Sequence, residues 1–432
     1  MGLWSQAAAV AAKTPETRNR YVDFLRAVSI LAVISGHWLV AAPYVGAEGQ
    51  LSLPNLLARQ PWTQWLTWAF QVMPVFFFVG GYSNGVSWNA AMRDGRGYPS
   101  WLDARLQRLI GPVLPLIVVW AVLATVASQM GARPEMIKVG SQLALIPIWF
   151  LAVYIMAVLL VPLTYSAWQR YGLLSFGALV FLALANDVLF FAADLPAVGW
   201  INYGFIWLAV HQLGYAWRDG QLKGGLKALP WAFGGLAILL GLVFLGPYPL
   251  AMVSVPGDEI SNTLPPKLPM LALGVTQIGL MLTLEAPMRR WLRRPAPWTA
   301  TVLVNGMIMT IFLWHLTSST IIIGGALQMG NVGLTVEPGT GLWWALRPAW
   351  IASYLIGLAI LALGFSRFER GGAGVAAAAW RLVGGAALVG LGLALLALDG
   401  VGGDGWFWLS PWVALPFVGA LIAGVNPLRS RS

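Results

Sequence analysis

The sequence predicts an all-α integral membrane protein of about twelve transmembrane helices. Three observations carry this: 58% of its 432 residues are hydrophobic, only 10% are charged, and apolar stretches recur from end to end without a long polar block between them. A soluble domain carries roughly 25% charged residues, so water is not the main solvent of this chain. A hydrocarbon core about 30 Å thick needs about 20 apolar helical residues. Stretches of that kind lie near 22–42, 62–88, 105–129, 142–164, 172–192, 198–217, 229–246, 267–286, 300–324, 345–365, 378–398 and 406–425. The fourth to sixth are closely spaced and the last two are rich in Gly and Ala, so the number reads as about ten to twelve.

Positive charge tests that layout, because Lys and Arg accumulate in cytoplasmic loops. With the N-terminus inside, Arg59, Arg133, Lys138, Lys267 and Arg347 fall in outer segments, and every other Lys and Arg falls inside. The expected arrangement has both termini cytoplasmic. Residues 1–20 are a cytoplasmic N-terminal segment, since Ala7 to Ala12 is too short for a span and lacks the charged start of a signal peptide. Among the outer connections, Pro247 to Pro269 contains Gly257-Asp258-Glu259 and the pair Pro265-Pro266, which cannot be regular helix throughout. It reads either as an ordered binding loop or as a connector.

The chain has no cysteine, which excludes disulfides, thiolate nucleophiles and Cys-based metal sites. Its formal net charge of +10 sits in short clusters between apolar stretches, so it reads as topology and anionic-lipid contact rather than nucleic-acid binding.

Ionisable groups inside a hydrocarbon layer are costly, so each one is a candidate for function. The first span holds three: Asp23, Arg26 and His37. Asp23 and Arg26 are three apart and can pair on one helix face. Arg26 and His37 are eleven apart, which at 100° per residue returns to nearly the same face about 16 Å further along the axis. A structural reading of this stripe is a snorkelling Arg and a His bonded to a neighbouring helix. A chemical reading is a cation and an imidazole serving one site.

The string Tyr21-Val22-Asp23-Phe24-Leu25-Arg26-Ala27-Val28-Ser29, followed by His37, resembles the Arg, ten residues, His signature of the acyltransferase 3 family of multi-pass membrane O-acyltransferases. Phe76-Phe77-Phe78-Val79-Gly80-Gly81-Tyr82, Arg105-Leu106-Gln107-Arg108, Trp149-Phe150-Leu151 and Phe312-Leu313-Trp314-His315 are similar to further family strings, in order, over residues 21–365. The resemblance implies transfer of an acyl group, often acetyl, from cytoplasmic acyl-CoA to a hydroxyl of a carbohydrate or glycolipid acceptor of the cell envelope. It further implies that His37 is the catalytic histidine, Arg26 its motif partner, and Arg105 with Arg108 the donor-binding arginines. Family members commonly have about ten spans, so 366–432 reads as an added C-terminal transmembrane hairpin with a short tail. No soluble esterase-like domain is expected to follow.

Moving an acyl group from a thioester to an alcohol requires removal of the alcohol's proton, and imidazole, with an unperturbed pKa near 6.5, suits that task. His37 therefore reads as a general base or as a covalent acyl-imidazole carrier. Arg105 and Arg108 share a helix face and could clamp phosphates, or they are topology determinants like the run Arg289, Arg290, Arg293 and Arg294. Asp23 and His315 are supporting candidates, His315 either lining the same cavity or packing in the core. His211 reads as a structural hydrogen-bonding residue. Asp187 and Glu285 read as interfacial, and the tryptophans, including the series Trp62, Trp65 and Trp68, as aromatic belts and packing. Three dispersed histidines make poor metal ligands, so no metal is expected. The expected partners are acyl-CoA, most simply acetyl-CoA, an envelope glycan or glycolipid, and membrane lipid, in a bacterial inner (plasma) membrane. The rival reading is a twelve-helix secondary transporter, which often shows related halves; no second Arg and His stripe occurs beyond residue 230.

Overall fold

A computed structural model describes residues 2–369, 376–402 and 408–426. Arg370, Arg429 and Arg431, and part of the 366–432 segment, lie outside the described residues. Among those described, nine helices are long and apolar enough to cross a membrane, or ten if one bent pair is a single span. That bent pair is the expected 142–164 span, found as Pro134–Leu145 and Ile148–Leu159 at 49° to each other. Pro147 at the joint has no backbone N–H and crowds the preceding turn, which breaks the helix. Two more expected spans are shorter: Asn202–Arg218 has 17 residues and Ala414–Ala423 has 10. The chain divides into two compact units, one of Met1–Ala42, Leu53–Ser87 and Val161–Ile308, the other of Pro43–Ser52, Trp88–Leu160 and Met309–Ser432.

The first unit is built around Asn202–Arg218, in which every residue from Ile206 to Trp217 is buried. A helix buried on all sides is surrounded by protein rather than lipid, which accounts for its polar His211 and Gln212. It crosses the helix Met73–Arg93 at contact distance. A methyl group on Gly81 would collide with the His211 carbonyl, and one on Gly214 with the Phe78 carbonyl and the Tyr82 amide. Glycine at these two positions permits the close approach, and flanking rings fill the sides: Phe77 stacks on Trp207 at 4.7 Å and Phe78 on Trp217 at 4.9 Å. Leu3–Ala12, within the expected N-terminal segment, is helical and packs on Pro295–Asn305 with Ala7 and Ala11 buried.

The second unit gathers Gly97–Ile110, Ile148–Leu159, the helix Ile308–Gln328 and the C-terminal hairpin Ala379–Asp399 with Ala414–Ala423. The hairpin closes on small residues, with Gly385 against the Gly419 carbonyl and Gly392 against Pro416, and its first helix packs on Ile148–Leu159. Trp120 donates to Thr317 Oγ1 at 3.0 Å and Ser318 to the Tyr354 carbonyl at 2.8 Å, so the polar face of Ile308–Gln328 is turned inward.

Candidate functional site

The expected Arg and His stripe lies on one uninterrupted helix, Arg20–Val40. Asn19 caps it, its side chain accepting from the Tyr21 amide at 3.2 Å, and Asp23 in the first turn complements the helix dipole. Asp23 is buried and holds two guanidiniums: Arg18 Nε and Nη2 donate to it at 2.6 and 3.1 Å, and Arg26 Nη1 stands 3.6 Å away. The hydrogen bond to Asp23 raises the Arg18 pKa above its ordinary range. Arg26 is held in turn by Ser83, whose Oγ accepts from its Nη2 at 3.0 Å. The pairing of Asp23 with Arg26 is thus present, but a nearer cation, Arg18, shares the carboxylate. Ser83 belongs to the polar run Tyr82-Ser83-Asn84 inside an apolar span, a signal for a buried contact that a survey of ionisable residues passes over.

Since the helix is continuous from Arg26 to His37, the two side chains are separated by about 16 Å along the axis. His37 is half-buried in the last turn. Its position is set by its neighbours: a methyl on Gly36 would lie 3.3 Å from Phe70 Cβ, and Val40 packs against Leu57, Ala251 and Val255. Phe70 ends a helical turn, and the expected span 62–88 is interrupted there, resuming at Met73. Open backbone inside a bilayer survives only where protein groups satisfy it. Gln277 Nε2 donates to the carbonyls of Trp68 and Gln71 at 3.1 and 3.0 Å, and Gln71 Nε2 donates to the Met252 carbonyl at 3.1 Å. Trp68 Nε1 donates to the Leu250 carbonyl at 2.8 Å, and the Met252 amide to Thr67 Oγ1 at 2.9 Å. The segment after Leu245 therefore docks into the helix break, beside the turn that carries His37.

That segment is non-helical, as its prolines require, and its base is fixed from within. Asn262 Nδ2 donates to the carbonyls of Pro249 and Ala251 at 2.7 and 3.0 Å, while Gly257, Asp258 and Glu259 stay exposed at the tip. Asp187, expected at the interface, is instead buried beneath it. Its carboxylate accepts from Asn202 Nδ2, Tyr248 Oη and the Leu268 amide at 2.8, 2.8 and 2.9 Å. Those three bonds offset the cost of desolvation, which is why a carboxylate can sit inside rather than at the rim. Lys267 is also buried, its Nζ 3.8 Å from the centre of the Phe190 ring.

In the second unit, Arg105 and Arg108 lie two to three turns inside Gly97–Ile110, shortly before the pause at Gly111-Pro112 and the apolar helix Val113–Gln129. Arg105 is half-buried with its guanidinium 5.8 Å from the Trp101 ring centre, and Arg108 is exposed. His315 is buried, and its Nδ1 lies 2.6 Å from the Phe312 carbonyl. A carbonyl can only accept, so Nδ1 carries the proton in this contact.

The remaining candidates have structural partners. His211 Nε2 meets Asn84 Nδ2 at 3.1 Å in a buried setting, as a packing role requires. Glu285 accepts from Trp217 Nε1 at 3.1 Å and pairs with Arg289 at 2.7 Å, so Arg289 has a local partner in addition to its topological charge. Trp62 and Trp65 are exposed on a 3-10 turn whose three-residue repeat aligns them, whereas Trp68 is tied to Leu250. Among the described residues no cluster of three His, Asp or Glu is placed to hold a metal ion.

The first unit thus pairs Asp23 with Arg26 and carries His37 about 16 Å further along the same helix, and the second holds Arg105, Arg108 and His315. No curated protein and no solved structure matches this chain. A family model described as an acyltransferase domain matches residues 19–329, a stretch that takes in all six of these residues and ends before the C-terminal hairpin. With nearly three quarters of its length matched and apolar helices throughout, the chain belongs to the acyltransferase 3 family of membrane acyltransferases.

Proposed function

We propose that this membrane acyltransferase moves an acyl group, most simply acetyl, from acyl-CoA to a hydroxyl of a carbohydrate or glycolipid of the bacterial cell envelope. His37 is the general base. It takes the hydroxyl proton as the oxygen attacks the thioester carbonyl; the C–O bond forms, the C–S bond breaks, and the departing CoA thiolate takes up a proton. Arg26 supports the reaction as a fixed cation, and Arg105 and Arg108 bind donor phosphates through charge-assisted hydrogen bonds. His315 plays a supporting part. The acceptor approaches at the His37 end of the helix, where the segment packed on Val40 covers the last turn.

The observation that carries this reading is that Arg26 and His37 share one continuous helix inside the matched region, with Arg26 held by Asp23 and Ser83. The charge distribution supports a cytoplasmic side for the Arg26 end and for both termini, and so an acceptor beyond the inner membrane. The test is incubation of purified protein in lipid with radiolabelled acetyl-CoA and an envelope glycan extract. Label should pass to the glycan with wild type and not with His37→Ala; equal labelling by both would remove the assigned role.

A further inference from the structure

The motif Arg105-Leu106-Gln107-Arg108 carries between its arginines a glutamine whose side chain is fully occupied. Gln107 is buried; its Nε2 donates to Asp103 Oδ1 one turn earlier and to the Gly424 carbonyl, both at 3.2 Å, and its Oε1 accepts from the Asn426 amide at 3.4 Å. Gly424 and Asn426 belong to the stretch that leaves the C-terminal hairpin. Gly424 adopts φ +73°, the left-handed cap that turns the chain out of the helix, so its carbonyl is aimed by a defined backbone turn. The hairpin is itself rigidly closed: Arg381 Nε donates to the Ile422 carbonyl at 3.1 Å, and Gly385 and Gly419 bring its helices together. A second strap lies at the end of the arginine helix, where a methyl on Gly111 would stand 3.2 Å from the Phe368 carbonyl.

We propose that the C-terminal hairpin, which lies beyond the matched acyltransferase domain, is a positioning device for the paired arginines, acting through Gln107. An isolated helix carrying Arg105 and Arg108 on one face could roll or slide, and a phosphate clamp works only when its two guanidiniums keep their spacing and direction. Gln107 points away from Arg105 and is held from outside the helix by the Gly424 carbonyl and the Asn426 amide, its bond to Asp103 lying within the helix; the two outside bonds fix the rotation of the helix and hence the direction of the arginines. Gln107 and Asn426 are positioning residues: they touch the arginine helix, not the donor. The inference rests on the reading of Arg105 and Arg108 as donor ligands.

The experiment uses the full-length protein in lipid nanodiscs, with CoA affinity by calorimetry, donor KM and kcat by acetyl transfer, and unfolding temperature read in parallel. Gln107→Met keeps the volume and removes the hydrogen bonds; Asn426→Pro removes the amide donor from the tail side and leaves the arginine helix unaltered in sequence. Each should weaken CoA binding and raise donor KM about tenfold, the loss expected for one or two buried hydrogen bonds, with kcat preserved. Gln107→Glu keeps the acceptor for Asn426 but turns a carboxylate toward the Asp103 carboxylate and the Gly424 carbonyl, and should weaken binding at least as much as Gln107→Met. Arg105→Ala with Arg108→Ala is the control. If that pair leaves CoA affinity unchanged, the donor reading fails and the inference with it. If the pair lowers affinity while Gln107→Met and Asn426→Pro change only the unfolding temperature, the hairpin is a structural addition and the inference alone is overturned.

Discussion

At one end of Arg20–Val40 a buried carboxylate gathers two guanidiniums, the farther at 3.6 Å, and a hydroxyl 3.0 Å from Arg26 completes the set. At the other end the turn that carries His37 is packed: Gly36 on Phe70, Val40 on Leu57, Ala251 and Val255, with the interrupted neighbouring span tied down by Gln71 and Gln277. One helix therefore uses fixed charge to hold a cation at its first end and close packing to place the turn that carries an imidazole at its last. The difference teaches that Arg26 and His37 fail in different ways. Loss of a charge partner at the first end removes stability and leaves groups unpaired, whereas a change of volume at the second end moves the base while the fold persists.

The sharpest break of this comparison is His37→Ala. Loss of a general base lowers kcat by about 10²–10⁴-fold with little change in unfolding temperature. Radiolabel transfer at saturating donor and acceptor, with a thermal melt of the same preparation, checks both halves. A melt lowered as much as the activity would make His37 a core residue.

Second in size is Asp23→Ala. Removing a buried carboxylate from two guanidiniums leaves Arg26 bonded to Ser83 and should lower unfolding free energy by about 2 kcal/mol. Equilibrium unfolding in mixed micelles measures it. Arg18 is mostly exposed, so its share is screened by salt, and the deficit should shrink at high ionic strength.

Much of this was legible before any coordinates. Composition and segment length gave the helices, and the eleven-residue spacing gave the shared face of Arg26 and His37, because both follow from the period of a helix that does not break. The interruptions were less legible. Pro147 bends one expected span, and Pro74, which cannot bond back to the Phe70 carbonyl, marks the break at Gln71; what the sequence does not show is that the break is held by Gln277, some two hundred positions away. The burial of Asp187 was hidden for a related reason: position along a helix suggests hydration, while the three donors that permit burial come from Asn202, Tyr248 and Leu268, which only the fold assembles. Gln107 stood in plain view between two arginines, but an uncharged residue in a charged motif gives no sign of its partner.

Third is Gly36→Val. The added methyls press on Phe70, whose helical turn is held by Gln277 and cannot easily yield, so the His37 turn must shift. A displacement of the base by a fraction of an ångström should lower kcat about tenfold, with donor affinity unchanged. Gly36→Ala, tight but tolerable at 3.3 Å, should cost less. Equal kcat in all three proteins would show that shape at this end does not set the base.

The smallest expected effect falls on Ser83→Ala, which removes the hydroxyl that accepts from Arg26. Arg26 keeps Asp23 at 3.6 Å, a longer contact shared with Arg18, so its guanidinium gains freedom to rotate rather than losing all restraint. One hydrogen bond to a charged group in a half-buried setting contributes about 1 kcal/mol, equivalent to about a fivefold change in turnover. Ser83→Thr keeps the hydroxyl and should restore most of the activity, whereas a purely packing role for Ser83 would make the larger threonine worse than alanine. If Ser83→Ala is silent in turnover yet Asp23→Ala is not, the carboxylate by itself orients Arg26, and the division between a charge-held end and a shape-held end becomes sharper.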